Sequence, residues 1–348
     1  MSQKRFLFYI SQNYSFAILR PLQQAILARG DVAAWFVEGK QVNVDFFHSD
    51  EQRLLSVKEI QAYQPDAVFV PGNVVPSFIP GLKVGVFHGF NAGKKNRKGR
   101  EDHFTIRGSF DLYCTQGPNT TEQFKDLAEQ YGFFHVKETG WCAIDPLYQQ
   151  QKSVDKNSLP TVLFCSTFSR NLTSAPHLFD EIKRLSTQGK YRWLVQFHPK
   201  MPAEIVEQYK TIESEYLTFV ETDNVIPLLQ EADLMVCDTS SVLLMFLLLN
   251  KPVVTFNNIA PKDYLINITE PDLLEQSIEH GLTKPKPLMD NIQHFIEQTH
   301  PYHDGRSSER VLQAVDEVLS GKVSVKKKKP LNILRQIKMR KRLGYWQF

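Results

Sequence analysis

Short apolar runs alternate with amphipathic stretches along most of the chain. Lys4–Ile10 reads as a strand, and Phe16–Ala28 sets Ile18, Leu19, Leu22, Ile26 and Leu27 at three-to-four spacing, a helix that Gly30 stops. Val32–Val37 is a second strand, and a helix near Leu54–Tyr63 follows. Ala67–Val70 closes into the turn Pro71-Gly72-Asn73, and the strand Lys83–Phe87 ends at His88-Gly89. Leu112–Thr115, the helix Thr120–Tyr131 and Val136–Thr139 complete this series. Between Tyr148 and Pro160 the sequence turns polar, as a linker does. A second series then runs through strand Thr161–Cys165, helix His177–Thr187, strand Tyr191–Phe197, helix Ala203–Tyr209, strand Leu217–Val220, helix Val225–Glu231, strand Leu234–Cys237, helix Val242–Leu249 and strand Pro252–Phe256. A last helix lies around Ser307–Leu319. Strands alternating with helices predict parallel sheets covered on both faces. The expected architecture is α/β, with two Rossmann-like doubly wound domains facing a cleft, residues 1–150 and 151–321, and a tail at 322–348.

The second domain is organised around Val236–Phe256, a buried strand, a polar turn, a buried helix, a Lys-Pro break and another buried strand. Asp238, Thr239, Ser240 and Ser241 are the only polar residues between the two apolar elements, so they stand where a strand ends and a helix begins. Free backbone N–H groups and hydroxyls there suit a phosphate, on the sheet edge where open α/β folds bind ligands. A plain helix cap by Asp238 or Thr239 is the alternative.

Charge changes the picture at one end only. The chain of 348 residues carries a net +3, yet Lys322 to Phe348 holds ten Lys/Arg and no Asp or Glu, which leaves about −7 elsewhere. Lys326–Lys329 followed by Leu331, Ile333, Leu334, Ile337, Leu343, Tyr345, Trp346 and Phe348 mixes basic and apolar residues, the composition of a segment that lies on an anionic membrane. A solvated tail or a nucleic-acid contact is the alternative. Cys114, Cys142, Cys165 and Cys237 are scattered without metal-ligand spacing and read as buried reduced thiols, so no metal is expected. The N-terminal apolar run is too short for a secretion signal, and no segment approaches the length of a membrane span.

Two further clusters follow strands. His88-Gly89 can face a cleft, with an imidazole able to take a proton from an attacking hydroxyl. His198-Pro199-Lys200 can bracket an anion. The basic run with Lys94, Lys95 and Arg97, just after His88, could close over phosphate as a lid or could simply be a solvated loop. GxxxxGK[ST], GxGxxG, HExxH and GxSxG are absent, which counts against P-loop, dinucleotide, zinc-protease and α/β-hydrolase chemistry.

His88-Gly89, the strand Val162–Phe168 with Ser166 and Thr167, His198-Pro199, Asp238–Ser241 followed by Lys251-Pro252-Val253, and Asp304-Gly305-Arg306-Ser307-Ser308-Glu309-Arg310 occur in that order. The ordered set, over roughly residues 80 to 315, resembles the CDP-glycerol glycerophosphotransferase family, which includes the teichoic acid primases and polymerases. The resemblance implies a GT-B fold and transfer of glycerol phosphate from CDP-glycerol to a hydroxyl, with release of CMP and no obligatory cofactor or metal. It implies His88 as general base and His198 stabilising the pyrophosphate or leaving CMP. It also implies Ser166 and Thr167 lining the nucleotide side, and Ser240 and Ser241 holding donor phosphate. Gly89, Pro199, Lys200, Asp238 and Thr239 complete the expected donor set. Two positions depart from the pattern, Ala143 in place of an arginine and Met245 in place of an acidic residue, and both bear on which donor is bound.

The reading is therefore a transferase that is cytoplasmic and peripheral at the inner face of the membrane. It takes a nucleotide-activated donor, a lipid-linked or polymer acceptor and no nucleic acid. A nucleotide-sugar glycosyltransferase or epimerase on the same fold, and a non-catalytic donor-binding subunit of a polymer-export assembly, are the other two readings.

Overall fold

The computed structural model describes residues 3–91, 99, 101–149, 159–222 and 224–346. Lys94, Lys95 and Arg97, and nearly all of the polar linker, lie outside the described residues. The chain divides into two compact units, Met1–Tyr148 together with Gln298–Phe348, and Gln149–Glu297.

The first unit is built on β1 (Arg5–Ile10), α1 (Ser15–Ala28), β2 (Val32–Val37), β3 (Arg53–Leu54), α2 (Val57–Tyr63), β4 (Ala67–Val70), β5 (Leu82–Gly85), β6 (Leu112–Thr115), α3 (Pro118–Tyr131), β7 (His135–Glu138) and α4 (Asp145–Gln149). Its seven strands run in the order β3-β2-β1-β4-β5-β6-β7, every pair parallel. The apolar runs are continuous because both faces are covered: Phe6, Leu7 and Phe8 of β1 and Ala67, Val68 and Phe69 of β4 are wholly buried.

The second unit comprises β8 (Thr161–Ser166), α5 (Ala175–Ser186), β9 (Arg192–Phe197), α6 (Ala203–Lys210), β10 (Leu217–Phe219), α7 (Ile226–Glu231), β11 (Leu234–Cys237), α8 (Val242–Leu247), β12 (Val253–Phe256), β13 (Ile266–Ile268), α9 (Leu274–Leu282) and most of α10 (Lys286–Thr299). Six parallel strands follow the order β10-β9-β8-β11-β12-β13. Both sheets therefore reverse their strand order once, between β1 and β4 and between β8 and β11. In doubly wound sheets such a reversal opens a crevice at the carboxyl ends of the two strands. The two doubly wound sheets of the sequence reading are present, and β13, α9 and α10 of this unit are additions to it.

Chain division is where the structure departs from expectation. Residues from Gln298 onward were assigned to the second domain up to 321, and they belong to the first unit. Two helices carry this return, α11 (Ser307–Leu319) and α12 (Ile333–Leu343). Helix α11 buries Val311, Leu312 and Val315 and packs on α1. Its first turn is held by the buried Asp145, whose carboxylate accepts the backbone N–H groups of Ser307 and Ser308, each at 2.8 Å. Burial still pushes the Asp145 carboxyl above its usual range. The Asp304–Arg310 motif is thus a helix start in the first unit.

The basic tail is folded. Met339 is buried, Tyr345 stacks on Phe78 at 5.3 Å, and Arg342 pairs with the buried Glu38 at 2.7 Å. Lys329 pairs with Asp111 at 2.7 Å, and the Asn332 amide donates to the carbonyls of Arg107 and Gly108.

Gly140 sits in the left-handed region (φ 78°), and a Cβ there would lie 2.5 Å from Ser307 Oγ and 2.7 Å from His300 Nε2. Gly140→Ala is expected to cost about 3 kcal/mol from backbone and packing together. Urea unfolding measures it, and a wild-type midpoint would show that the return of α11 does not depend on this close approach.

Candidate active site

Each sheet presents one exposed histidine just past a strand end. In the first unit His88 follows β5, and its ring reaches the neighbouring strand end: Nδ1 lies 3.2 Å from the carbonyl oxygen of Pro71, which follows β4. A carbonyl only accepts, so Nδ1 carries the proton and Nε2 bears the lone pair. Tyr14, between β1 and α1, places its ring 5.8 Å from that of His88. The imidazole therefore leans toward the β1/β4 crevice.

The turn that aims it is made by Phe87. This residue has φ 59°, a conformation a bulky side chain rarely adopts. Its ring is fixed by stacking on His103 at 4.9 Å and by edge contact with Phe124 at 5.2 Å, and its carbonyl accepts Trp141 Nε1 at 3.4 Å. Gly89 has no positive φ, and a Cβ there would meet nothing within 4 Å. Gly89 contributes its carbonyl instead, which accepts the Gln116 amide at 2.9 Å. Beneath His88, burial and then the neighbouring imidazole push His103 down to about 4, so it stays neutral near pH 7.

In the second unit the β8 and β11 ends meet through Asp238. Its side chain is wholly buried, and it accepts Ser166 Oγ (2.6 Å), Thr167 N (3.0 Å) and Ser174 N (3.0 Å), with Ser174 Oγ at 3.1 Å. With its oxygens so occupied, Asp238 shapes the loop after β8. Ser166, also buried, belongs to the same network. Thr239 Oγ1 accepts Ile259 N at 3.1 Å, and Asn258 Nδ2 donates to the Asp238 carbonyl at 3.2 Å. At the start of the six-residue α8, Ser240, half-buried, accepts the Val242 N–H through its Oγ at 3.5 Å, and Ser241 is exposed, so both hydroxyls stand at the surface of this strand end.

His198 stands beside this edge, past β9. Its Nδ1 accepts the backbone N–H of Lys200 at 3.0 Å, so the neutral ring carries its proton on Nε2. Partial burial first, and the Lys200 charge second, hold its pKa below the usual imidazole value. The ring lies against Phe168 (4.5 Å), and Lys200 Nζ sits 5.7 Å from the centroid of the same phenyl ring. Pro199 is exposed between them.

Sequence position thus marked both histidines, the Ser240-Ser241 pair and the β8 loop. Phe87, Trp141, Phe168 and Asn258 were missed. A phenylalanine two residues past Ser166 was the available signal for Phe168; nothing in the sequence announces the backbone of Phe87. Among the described residues no group of three or more His, Cys, Asp or Glu is placed to hold a metal ion, and all four cysteines are free and buried.

Comparison with known proteins bears on family and fold. Residues 129–264 match the family model of the CDP-glycerol:poly(glycerophosphate) glycerophosphotransferases. No curated protein matches by sequence. Among solved structures, one from Listeria monocytogenes described as a UDP-N-acetylglucosamine 2-epimerase superposes with a TM-score of 0.65 at 15% identity, covering 95% of this chain and 100% of its own. The wall teichoic acid polymerase TagF gives 0.63 at 13% identity, over 92% of this chain and 89% of that one. MnaA of S. aureus, solved with UDP, gives 0.62 at 16%, over 94% and 100%. At these identities the likeness is one of fold, and it is to GT-B proteins.

Lys200→Gln is expected to raise the titration midpoint of the His198 ring protons in NMR, because it removes a cation that disfavours imidazolium. An unmoved midpoint would mean that burial alone lowers the pKa and that the Lys200 side-chain charge does not act on this ring.

Proposed function

We propose that the protein transfers glycerol phosphate, or a related polyol phosphate, from a CDP-linked donor to a hydroxyl of a cell-surface polymer or lipid-linked acceptor. The observation that carries this reading is the opposite pinning of two exposed imidazoles: His88 offers a basic Nε2, and His198 offers an Nε2–H donor. The family match over residues 129–264 supports the donor class.

In the proposed step the acceptor oxygen attacks the phosphorus that carries the glycerol. The new O–P bond forms as the bridging O–P bond to CMP breaks. The hydroxyl proton passes to His88 Nε2, and His198 Nε2–H, with Lys200, stabilises the charge gathering on the departing phosphate. Ser240 and Ser241 would hold the donor phosphates by hydroxyls and backbone N–H groups, and the half-buried Thr167 hydroxyl would line the nucleotide side, with Asp238, Ser166 and Thr239 fixing those loops from behind. Lys94, Lys95 and Arg97 keep their proposed part as a basic lid. Most of the gain comes from positioning and charge. No cofactor is invoked.

A membrane-surface location at the cytoplasmic inner leaflet is part of the proposal. No described helix is long and apolar enough to cross a membrane. The folded tail nevertheless leaves Leu331 (77%), Ile333 (62%), Leu334 (78%) and Ile337 (47%) exposed amid Lys and Arg side chains. Such a face suits an anionic bilayer, where a lipid-linked acceptor would be met.

The likeness to UDP-N-acetylglucosamine 2-epimerases favours one rival, a nucleotide-sugar enzyme on the same scaffold. A melting-temperature panel of CDP-glycerol, CDP-ribitol, CMP, UDP-sugars and GDP-sugars separates them, since a ligand that binds the native state raises the midpoint. Stabilisation by the cytidine compounds is expected; stabilisation by a UDP- or GDP-sugar alone would replace the transferase with the rival. With CDP-glycerol as donor, His88→Ala and His198→Ala are each expected to slow CMP release about 10²- to 10⁴-fold without lowering the melting temperature. Full turnover in either variant removes that residue from the mechanism, and donor binding without turnover in the unaltered chain would point to a non-catalytic donor-binding subunit.

A further inference from the structure

Where the tail folds back it lines an open groove of about 520 Å³ within the first unit. Its walls come from the loop Thr105–Gly108, the end of α3 at Tyr131 with Phe133, and the tail residues Lys328, Pro330, Asn332 and Arg335. The groove is built: a Cβ on Gly108 (φ 68°) would lie 2.5 Å from the Pro330 ring and 2.8 Å from the Asn332 amide, so only glycine lets the tail seat there.

Three cations face this space. Arg107 is held by Asp102 at 2.6 Å and by the Thr105 carbonyl at 3.1 Å. Arg335 donates to the carbonyl of Arg107. Among the described residues neither Arg335 nor Lys328 has a carboxylate partner, so a single acidic group answers three cations. Two guanidinium groups with fixed backbone anchors make a lasting phosphate receptor, unlike solvated lysines. The remaining lining, Ile106, Phe133, Tyr131 and Pro330, is apolar. Leu331, Ile333 and Leu334, interleaved in sequence with the lining residues, are the most exposed large apolar side chains of the tail.

We infer that this groove binds the phosphate headgroup of an anionic phospholipid, with Arg107, Lys328 and Arg335 on the phosphate and the apolar wall against the glycerol and first acyl carbons. Leu331, Ile333 and Leu334 then enter the surrounding bilayer. Charge complementarity next to exposed aliphatic residues selects a lipid over a free anion. The inference rests on the membrane-surface reading proposed above.

Two measurements on the full chain test it. Flotation with vesicles of phosphatidylcholine alone and of phosphatidylcholine with phosphatidylglycerol tests attachment itself; binding to the anionic vesicles is expected, and its absence overturns both attachment and groove. Calorimetric titration with monomeric short-chain phosphatidylglycerol tests the groove. Saturable one-site binding is expected, weakened about tenfold or more in the Lys328→Gln/Arg335→Gln variant. It is expected to be retained in the Lys338→Gln/Lys341→Gln variant, which removes the same charge from the exposed part of α12; melting temperatures confirm that both fold. Flotation without saturable binding, or equal loss in both variants, leaves attachment standing and overturns the groove. Glycerol 3-phosphate binding as tightly as the short-chain lipid would make it a free-phosphate site and overturn the lipid assignment.

Discussion

A carboxylate taken out of water must be surrounded by donors, and each unit of this protein turns that requirement into architecture. Asp238 draws Ser166, Thr167 and Ser174 onto itself, and thereby fixes the path of the loop that leaves β8. Phe168 rides on that loop, and the His198 ring rests on Phe168. Asp145 does the equivalent in the first unit by taking the two leading N–H groups of α11, which brings the end of the chain back across its beginning. Neither aspartate needs to touch a ligand to be indispensable to the place where one would sit.

The two exposed histidines illustrate how little separates opposite chemical roles. Each ring uses Nδ1 to contact one main-chain group. The partner is a carbonyl for His88 and an N–H for His198, so the outward nitrogen is a lone pair in one and a donor in the other. The fold does not choose between them, nor between the polymerase and the epimerases that share it; function on such scaffolds resides in the groups grafted at the strand ends.

Much of this was legible in the sequence, and the reasons are local. Continuous runs such as Phe6–Ile10 and Val162–Cys165 can only be strands buried on both faces, and polar residues directly after them mark the carboxyl edge. That rule singles out His88, His198, Ser240 and Ser241 as candidates, and the structure places each of them just past a strand end. What escaped depends on partners far away in the chain. An amphipathic pattern shows that α11 has a buried face without saying which sheet it covers, and a tail rich in lysine looks like a free tail until Met339 and Tyr345 are seen in their pockets. Strand β13 has three residues, too few to stand out, whereas the stripe Leu288, Ile292, Ile296 of α10 was legible and was passed over. That Asp238 is buried and saturated could not be read from its neighbours, because three of its donors lie more than sixty positions away.

The division of the chain also sets an order of events during synthesis. Residues 149–297 form a contiguous unit, whose six strands are complete once that stretch has emerged. The first unit is emitted earlier but is interrupted: its seven strands are available at once, while α11, which covers α1, and Pro330 and Asn332, which seal Gly108, arrive only with the last fifty or so residues. Domains generally mature as they leave the ribosome, amino-terminal first. Here the later unit can finish before the earlier one, and the nascent first sheet must wait with the α11-binding face of α1 uncovered, a period in which a chaperone has something to hold.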